Sequence, residues 1–253
     1  MKIGIVQLDQ VWEDKAANKE KILNLVEKIE QNTDVLIFPE MTLTGFTMNT
    51  KNVGEEIDEA SIIFFLELSR KLKTNIFAGI VEKDNNYFYN SLFHFDKNGL
   101  IKAVYRKIHP FTLGNEHKHF ISGNEIVTSN IELHKIGLSI CYDLRFPELY
   151  RFYAKEKAEI IINIANWPLK RIEHWQYLLK ARAIENQCYM IGVNRIGKDI
   201  CNDYNGSSAV YGPLGEKLLL AENSEQIFYI NLDFEKVKEV RKKFGFLDDI
   251  KLI

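Results

Sequence analysis

Short apolar runs alternate with longer amphipathic stretches along the first third of the chain. Residues 2–8, 34–38 and 75–82 are rich in β-branched side chains and bounded by polar residues, which predicts three strands. Between the first two strands, apolar residues recur at the spacing of one helical face, which predicts a helix over 18–32. The same spacing over 55–73 predicts a second helix before the third strand.

The segment 86–96, NYFYNSLFHFD, is aromatic or apolar on both alternating faces, and such a strand must be covered on both sides. The turn residues 96–99 that follow lead into residues 100–107, which predicts a β-hairpin. Five more strands are expected at 135–141, 158–165, 188–194, 207–211 and 226–232, and two more helices near 146–157 and 170–186. Mixed sheets with strands buried on both faces predict an α/β fold, with two sheets packed on each other and helices outside.

Composition and charge exclude several classes of protein. The 253 residues are 46% hydrophobic and 27% charged, which is typical of a soluble globular protein with a large core. The 33 basic and 35 acidic residues give a net charge of −2, which argues against a nucleic-acid partner. No apolar run approaches the roughly 18 residues of a membrane-spanning helix, and the N-terminal residues are too polar for a signal-peptide core. We therefore expect no membrane partner.

Cysteine usage and chain organisation bear on location and domain number. The three cysteines, Cys141, Cys188 and Cys201, are too few for a disulfide framework, which indicates a reducing cytoplasm. Their chemistry is expected at Cys141 alone, with the other two unreactive. No linker, repeat or low-complexity segment interrupts the sequence, so one domain over residues 1–253 is the simplest interpretation.

Several common catalytic and binding motifs are absent from the sequence. There is no P-loop, no GxGxxG after a strand, no GxSxG and no CxxC. His117 and His119 form an HxH pair without a third ligand in a recognisable motif, so we interpret them as loop histidines and expect no metal site.

Three segments place a reactive side chain just past a predicted strand, which is where α/β folds locate their sites. Glu40 lies in FPEMTLTGF, Lys107 lies in YRKIHPF with Glu116 nine residues further on, and Cys141 lies in GLSICYDLRFPELY. Each residue taken singly also has an ordinary interpretation. Cys141 resembles a small buried hydrophobe, Glu40 a loop charge or helix cap, and Lys107 a surface cation.

Taken together and in this order, the three segments resemble the signatures of the nitrilase superfamily of carbon–nitrogen hydrolases. The resemblance extends from Gln7 to about Tyr211. It implies a four-layer α-β-β-α sandwich. It also implies that Glu40 is the general base, Lys107 the cation that stabilises the oxyanion, and Cys141 the nucleophile. Glu116 would be the second glutamate, which orients the lysine and the substrate in this family.

The chemistry of amide hydrolysis suits these residue types. Amide carbonyls are poor electrophiles, so a covalent thioester step on Cys141 divides a difficult reaction into two easier ones. Lys107 would favour the thiolate. Glu40 can take the thiol proton, give it to the departing ammonia and later activate water. Lys107 and the backbone N–H of Tyr142 would meet the oxyanion, each such donor being worth on the order of 10²–10³ in rate. No cofactor is expected.

The residues that follow the cysteine resemble one branch of the family in particular. CYDLRFPELYR followed by NIANWPLKRIEHWQYLLKARAIENQ is most similar to the bacterial ω-amidase branch, which deamidates 2-oxoglutaramate and 2-oxosuccinamate. Trp167 would be an apolar wall of the acyl pocket, or alternatively a packed core residue. Arg171, with Lys170 beside it near a helix start, would bind the substrate carboxylate, or alternatively be a solvated arginine.

Other residues of this region are expected to be structural. Arg182 and Glu185 have i, i+3 spacing and predict an ion pair within a helix. Asp143 and Arg145 are expected to support the nucleophile loop without a chemical role.

Several alternatives stay open at the level of sequence. A nitrilase or an N-carbamoyl amino acid hydrolase would share the Glu-Lys-Cys trio. A Cys-His hydrolase could use His109, which shares a strand face with Lys107. A non-catalytic binding protein is the remaining possibility. The resemblance also implies a homodimer formed through the face beside the helix that follows the cysteine, with the C-terminal tail, about 243–253, at that interface.

Overall fold

The structure, a computed structural model that describes residues 1–252, contains fourteen strands and six α-helices in that range. The strands are β1 Lys2–Gln7, β2 Val35–Ile37, β3 Asn75–Asp84, β4 Tyr87–Phe95, β5 Ile101–Arg106, β6 Thr128–Ile131, β7 His134–Ile140, β8 Ile160–Ala165, β9 Tyr189–Asn194, β10 Ile196–Lys198, β11 Asp203–Asn205, β12 Ala209–Tyr211, β13 Lys217–Leu220 and β14 Gln226–Asn231. The helices are α1 Lys15–Val26, α2 Thr50–Val53, α3 Ala60–Leu72, α4 Pro147–Lys155, α5 Ile172–Asn186 and α6 Phe234–Lys243.

The strands form two six-stranded mixed sheets and one two-stranded ribbon. The first sheet has the order β14-β1-β2-β3-β4-β5, with β1, β2 and β3 parallel. The second has the order β13-β12-β9-β8-β7-β6, with β7, β8 and β9 parallel, while β10 and β11 form the ribbon. The carboxyl ends of parallel strands meet at one edge of a sheet, so the loops after β2, β7 and β8 can approach one another.

The two sheets pack face to face. Ile5, Ile37 and Phe77 of the first sheet belong to the same core cluster as Ile140 and Ile162 of the second. A second core cluster joins the other face of the first sheet to the apolar faces of α1 and α3. Successive residues of one strand of this sheet therefore pack into different core clusters, one on each face. Because both faces are buried, the strand sequences are continuous apolar runs.

Helices α4 and α5 cover the outer face of the second sheet. The ring of Tyr153 in α4 packs against Gly137 of β7, and Leu179 and Trp175 in α5 pack against Gly192 of β9. A side chain on either glycine would collide with these residues, so the close approach of helix and sheet requires glycine there. The layer order is therefore α-β-β-α, and the predicted fold is confirmed.

Most predicted elements are confirmed, with differences at boundaries and in polar segments. The hairpin turn is present, with Gly99 at φ +77° and its N–H donating to Asp96 O (2.9 Å). The helix predicted over 55–73 begins only at Ala60, because Glu55 forms a bridge to β3 and accepts from the backbone N–H of Ser61. The helix predicted over 18–32 begins earlier, at Lys15, where the Asp14 side chain accepts from Ala17 N (2.9 Å) and caps it.

The elements that the pattern did not predict, α2, α6, β6, β10, β11 and β13, are short or lie in polar sequence. Within residues 1–252, no helix has the length and apolarity that crossing a bilayer requires.

Candidate active site

Three of the predicted residues form a buried ion cluster. Glu40 follows β2, Lys107 follows β5, and Glu116 begins a 3-10 turn, Glu116–Lys118. The Lys107 ammonium donates to Glu40 Oε1 (2.9 Å) and to both Glu116 oxygens (2.9 and 3.0 Å). All three side chains are at most 1% exposed. One ammonium is therefore held between two carboxylates out of contact with bulk water.

The loop that carries Glu40 is fixed by main-chain contacts to β3. Thr42 N–H donates to Gly79 O (2.8 Å), and Gly79 N–H donates to Pro39 O (3.3 Å). From the other side, Gln10 Nε2 donates to the carbonyl oxygens of Glu40 and Met41, each at 3.0 Å. Met41 has φ +45°, a left-handed conformation that residues other than glycine rarely adopt. The general base predicted from sequence therefore lies on a tightly constrained turn.

Cys141 occupies a similarly strained position. It is the first residue of a 3-10 turn, Cys141–Arg145, directly after β7, and its φ is +47°. Asp143 holds this turn, because its Oδ2 accepts from Ile140 N–H (2.9 Å) and from the Tyr105 hydroxyl (2.8 Å). The prediction that Asp143 supports the nucleophile loop is confirmed. Strained backbone of this kind is often found at functional sites.

Burial and the two carboxylates determine the protonation state of the nucleophile. Burial raises the pKa of the Cys141 thiol well above its usual value; the charges of Glu40 and Glu116 raise it further, and Lys107 lowers it. Lys107 favours the thiolate, as expected, but burial and the two carboxylates outweigh its effect. Cys141 therefore rests as the neutral thiol, and a base would have to remove its proton before the sulfur could act as a nucleophile.

The same environment acts on the other two charged groups. Burial alone would lower the pKa of Lys107, but the charges of Glu116 and Glu40 outweigh it and raise that pKa. Burial raises the pKa of Glu116, against the lowering effect of Lys107. Lys107 therefore stays an ammonium, as an oxyanion-stabilising group must.

His109 is held by Asp143 and Phe146. Its ring Nδ1 lies 2.8 Å from Asp143 Oδ1, and its backbone N–H donates to the same oxygen (3.0 Å). The ring stacks on Phe146 with centroids 3.8 Å apart. His109 thus helps to hold Asp143, and the arrangement does not support a Cys-His pair.

Cys141 borders a cavity of about 650 Å³. Its walls are largely aromatic and apolar, contributed by Trp12, Phe46, Met48, Phe111, Leu113, Tyr142, Trp167, Pro168 and Ile200. Trp167 is 3% exposed and packs on Trp175 (ring centroids 5.4 Å apart), as a core residue does. It also borders the cavity, so its position is compatible with both interpretations, a core residue and a pocket wall. The N–H of Tyr142 lies in the first turn of the 3-10 segment, where N–H groups lack partners within the helix.

Two arginines stand on the cavity wall. The Arg171 guanidinium lies 5.5 Å from the Phe111 ring centroid, and that of Arg145 lies 4.9 Å from the Trp167 ring centroid. Within residues 1–252 neither forms an ion pair with a carboxylate. Arg145 was expected to support the nucleophile loop; the structure places its side chain on the cavity wall instead.

Two asparagines at the site were missed by sequence analysis. Asn90 Nδ2 donates to Glu40 Oε1 (2.7 Å) and Glu116 Oε1 (2.8 Å). Asn166 donates its backbone N–H to Glu40 Oε2 (2.8 Å) and its Nδ2 to Glu40 O (2.6 Å). Each is a polar residue within or just after an otherwise apolar strand, and that pattern is the signal that could have identified them.

The remaining sequence predictions concern structural residues. Arg182 Nη1 donates to Glu185 Oε1 (3.0 Å), so the predicted ion pair is confirmed. Burial raises the pKa of Cys188 to about 12, which is in keeping with an unreactive thiol, whereas Cys201 is exposed at the cavity rim. His117 and His119 are exposed, and residues 1–252 contain no cluster of metal-ligating side chains.

Known proteins resemble this chain over nearly its whole length. The family model described as carbon-nitrogen hydrolase matches residues 2–242. A Staphylococcus aureus protein called "Hydrolase in agr operon" is 35% identical over 100% of this chain and 98% of its own length. The 2-oxoglutaramate amidase of Bacillus subtilis is 33% identical over 98% of this chain and 97% of its own.

Solved structures agree with this likeness. The crystal structure of XC1258 from Xanthomonas campestris, described as a CN-hydrolase superfamily protein with an arsenic adduct in the active site, superposes with a TM-score of 0.96. It is 29% identical in sequence, and the match covers 100% of this chain and 98% of that one.

Proposed function

The chain belongs to the carbon–nitrogen hydrolase family, and we propose that it is an ω-amidase, with 2-oxoglutaramate and 2-oxosuccinamate as the substrate class. It would release ammonia and leave a dicarboxylate. One observation carries this proposal: Cys141 is close enough to the buried Glu40–Lys107–Glu116 cluster to feel all three charges, and it borders a cavity that also presents arginines with no carboxylate partner among the described residues.

Acylation begins with proton transfer from the Cys141 thiol to Glu40. The sulfur attacks the amide carbon, a C–S bond forms, and the carbonyl electrons move to oxygen. Lys107 and the N–H of Tyr142 stabilise this oxyanion. As the C–N bond breaks, Glu40 returns its proton to nitrogen, and neutral ammonia leaves a thioester.

Deacylation reverses the roles of the same groups. Glu40 removes a proton from water, the resulting hydroxide attacks the thioester carbon, and Lys107 again faces the oxyanion. The C–S bond breaks, and the proton held by Glu40 returns to the sulfur, so the free thiol is regenerated and a carboxylic acid is released. Water is the second substrate, and the balanced reaction calls for no cofactor.

Binding energy for the far end of the substrate would come from Arg171, with Arg145 as a second candidate. A carboxylate held in a partly desolvated cavity needs a cation or several N–H donors, because an unpaired buried charge is costly. Lys107 already forms ion pairs with Glu40 and Glu116, whereas neither arginine forms an ion pair with a carboxylate of the described residues. Their positions on the wall of the same cavity support a substrate with a carboxylate opposite its amide.

We propose that the protein works as a single-domain homodimer. Apolar side chains are exposed on the face of α4 and α5, with Phe152 39%, Tyr177 69% and Ile184 45% exposed, and Leu214 beside them 52%. Burying such a patch favours association. The tail 243–253, whose last residue, Ile253, lies outside the described range, would extend this interface. The three free thiols support a cytoplasmic location.

The experiment that tests the function measures ammonia release from a panel of substrates. The panel contains ω-amides of dicarboxylates, nitriles and N-carbamoyl amino acids, each with wild-type protein and with Cys141→Ala. We expect turnover of the ω-amides that Cys141→Ala abolishes. A preference for the nitriles or the carbamoyl compounds would assign the chain to another branch of the family. A lack of any turnover would favour a binding protein.

A further inference from the structure

We infer that the side-chain oxygen Oδ1 of Asn166 accepts a hydrogen bond from the NH2 group of the scissile amide, and so selects carboxamides over esters of the same acid. The inference rests on the proposed amidase function and assigns a substrate-binding residue to that site. It makes Asn166 a determinant of the bond that is cleaved, separate from the arginines that meet the far end of the substrate.

Asn166 touches the general base through two separate groups. Its backbone N–H donates to Glu40 Oε2 (2.8 Å), and its Nδ2 donates to Glu40 O (2.6 Å). The other carboxylate oxygen, Oε1, already accepts from Lys107 and Asn90. Oε2 is therefore the oxygen better placed to exchange protons with Cys141 and with the leaving nitrogen, and Asn166 lies next to it.

The orientation of the Asn166 amide follows from its partner. Glu40 O is a carbonyl oxygen and can only accept, so the group that faces it must be the NH2 of Asn166. Oδ1 consequently faces another direction, and within residues 1–252 this buried oxygen has no hydrogen-bond partner. Buried acceptors without partners are unusual in native proteins and call for an explanation.

The location of this oxygen sets it apart from similar atoms elsewhere. Eight buried side-chain atoms in the described range lack a partner, and of the residues that carry them only Asn166 borders the cavity beside Cys141. The residue is 4% exposed and is fixed by neighbouring contacts, since Trp167 N–H donates to Asn194 Oδ1 (2.7 Å). Asn166 thus lies on a rigid segment in the wall of the cavity that Cys141 borders.

A primary amide supplies the donor that this oxygen lacks. When the tetrahedral intermediate collapses, the nitrogen lone pair must face the protonated Glu40, so both N–H bonds must point elsewhere. A hydrogen bond from one of them to Asn166 Oδ1 fixes this orientation. The leaving group of an ester carries no N–H and gains nothing from this hydrogen bond, and a site built around a hydrogen bond rejects ligands that cannot make it.

The test compares an amide and a methyl ester of one acid, succinamate and monomethyl succinate, which would pass through the same acyl-enzyme. In Asn166→Ala, kcat/KM should fall on both substrates because the contact to Glu40 O is lost, and kcat/KM for the amide should fall roughly 10- to 100-fold further than kcat/KM for the ester. Wild-type enzyme should use the amide at least as well as the ester, although the ester is the more reactive electrophile.

Gln10→Ala is the matched control. Gln10 Nε2 donates to the same Glu40 carbonyl oxygen (3.0 Å), but the residue does not border the cavity. This variant should lower kcat/KM for both substrates by a similar factor. A parallel loss on both substrates in Asn166→Ala would show that Asn166 only positions Glu40, and would overturn the inference while leaving the amidase proposal intact.

A wild-type preference for the ester would also overturn it, and that measurement requires no variant to fold. An absence of turnover on both wild-type substrates, together with no turnover in the wider panel, would contradict the proposed function itself.

Discussion

Gly79 lies directly against the backbone of Glu40, since a Cβ atom on Gly79 would stand 2.7 Å from Glu40 Cα and 2.5 Å from Met41 N. Real Cβ atoms do not approach backbone atoms this closely, so β3 can reach the loop of Glu40 only because residue 79 has no side chain. The contact involves backbone on both sides, which leaves no flexible side chain to move away. The position of Glu40 therefore depends on a glycine of a neighbouring strand.

Gly79→Ala should therefore damage activity by displacing Glu40. We expect kcat to fall on the order of 100-fold, because displacements of about 1 Å at a catalytic group can cost that much. The free energy of unfolding should also fall, by about 1–3 kcal/mol, as overpacking does elsewhere. Steady-state kinetics and urea unfolding would measure both effects. Gly245→Ala, where the added Cβ meets only an Asp248 oxygen at 3.2 Å, is the control. Wild-type kcat in Gly79→Ala would contradict this account.

The assignment of the nucleophile predicts where an acyl group accumulates. Mass spectrometry of enzyme quenched during turnover should show the adduct on Cys141. Cys141→Ser should be nearly inactive, because Glu40 is a weak base for a hydroxyl whose pKa is far higher than that of a thiol. Cys201→Ser, which changes the exposed thiol at the cavity rim, should keep its activity. An adduct on Cys188 or Cys201 would exclude the proposed mechanism.

The division of labour among the polar groups can be ranked by mutation. Glu40→Gln should lose almost all turnover, because an amide cannot carry the proton. His109→Asn should retain much of it, because His109 acts only through Asp143. Lys107→Arg should fail, since a forked guanidinium does not fit the position of a compact ammonium bonded to Glu40 and Glu116. Higher kcat in Glu40→Gln than in His109→Asn would revive the Cys-His alternative.

The sequence pointed to the residues that we propose carry the chemistry, but not to the residues that hold them in place. Glu40, Lys107 and Cys141 each lie in a local motif, so a short stretch of sequence is enough to recognise them. A polar residue just after an apolar strand marks Asn166 as unusual, but the local sequence does not show that it meets Glu40, which is 126 residues away. The position of Arg145 on the cavity wall was missed for the same reason, because the ring that it contacts, Trp167, belongs to the loop after β8.

The fold shows the same division. β2 and β8 are buried on both faces. Their sequences are continuous apolar runs, which are not typical of loops, and so both strands could be predicted. β13 was missed because its side chains are mostly exposed, so that pairing with β12 alone, rather than burial, maintains it.

A buried histidine far from the cysteine predicts a pH dependence of stability. His94 on β4 is fully buried and links the two sheets, with Nδ1 2.6 Å from Ser129 Oγ of β6 and Nε2 3.2 Å from Asn75 Oδ1. Burial lowers the pKa of His94 to about 4. The unfolded chain, with an ordinary pKa near 6.5, therefore binds the proton first as pH falls.

The contribution of His94 to stability is complete above about pH 6.5 and disappears as pH falls through about 4. A shift of this size corresponds to about 3 kcal/mol in the free energy of unfolding. Urea unfolding measured from pH 7 to pH 4 should show this fall in the free energy of unfolding, added to the fall caused by protonation of the carboxylates. His94→Gln, which cannot titrate, should show a shallower slope over the same range. Identical slopes in both proteins would mean that His94 titrates normally in the fold.

The last prediction concerns recognition of the substrate carboxylate by Arg171. Its guanidinium borders the cavity and has no ion-pair partner among the described residues, while its carbonyl oxygen accepts from Trp167 Nε1 (2.8 Å), which fixes its backbone beside the cavity wall. Arg171→Ala should lower kcat/KM for acidic ω-amides. The fall should correspond to a loss of roughly 1.5–3 kcal/mol of transition-state stabilisation, the scale of a charged hydrogen bond. A neutral amide of similar length should be nearly unaffected.

Lys170→Ala is the control, because it removes a neighbouring cation on the same wall. It should have a smaller effect than Arg171→Ala, because a general electrostatic field is weaker than a direct contact. Equal losses on acidic and neutral amides would remove Arg171 from the binding site and leave Arg145 as the candidate.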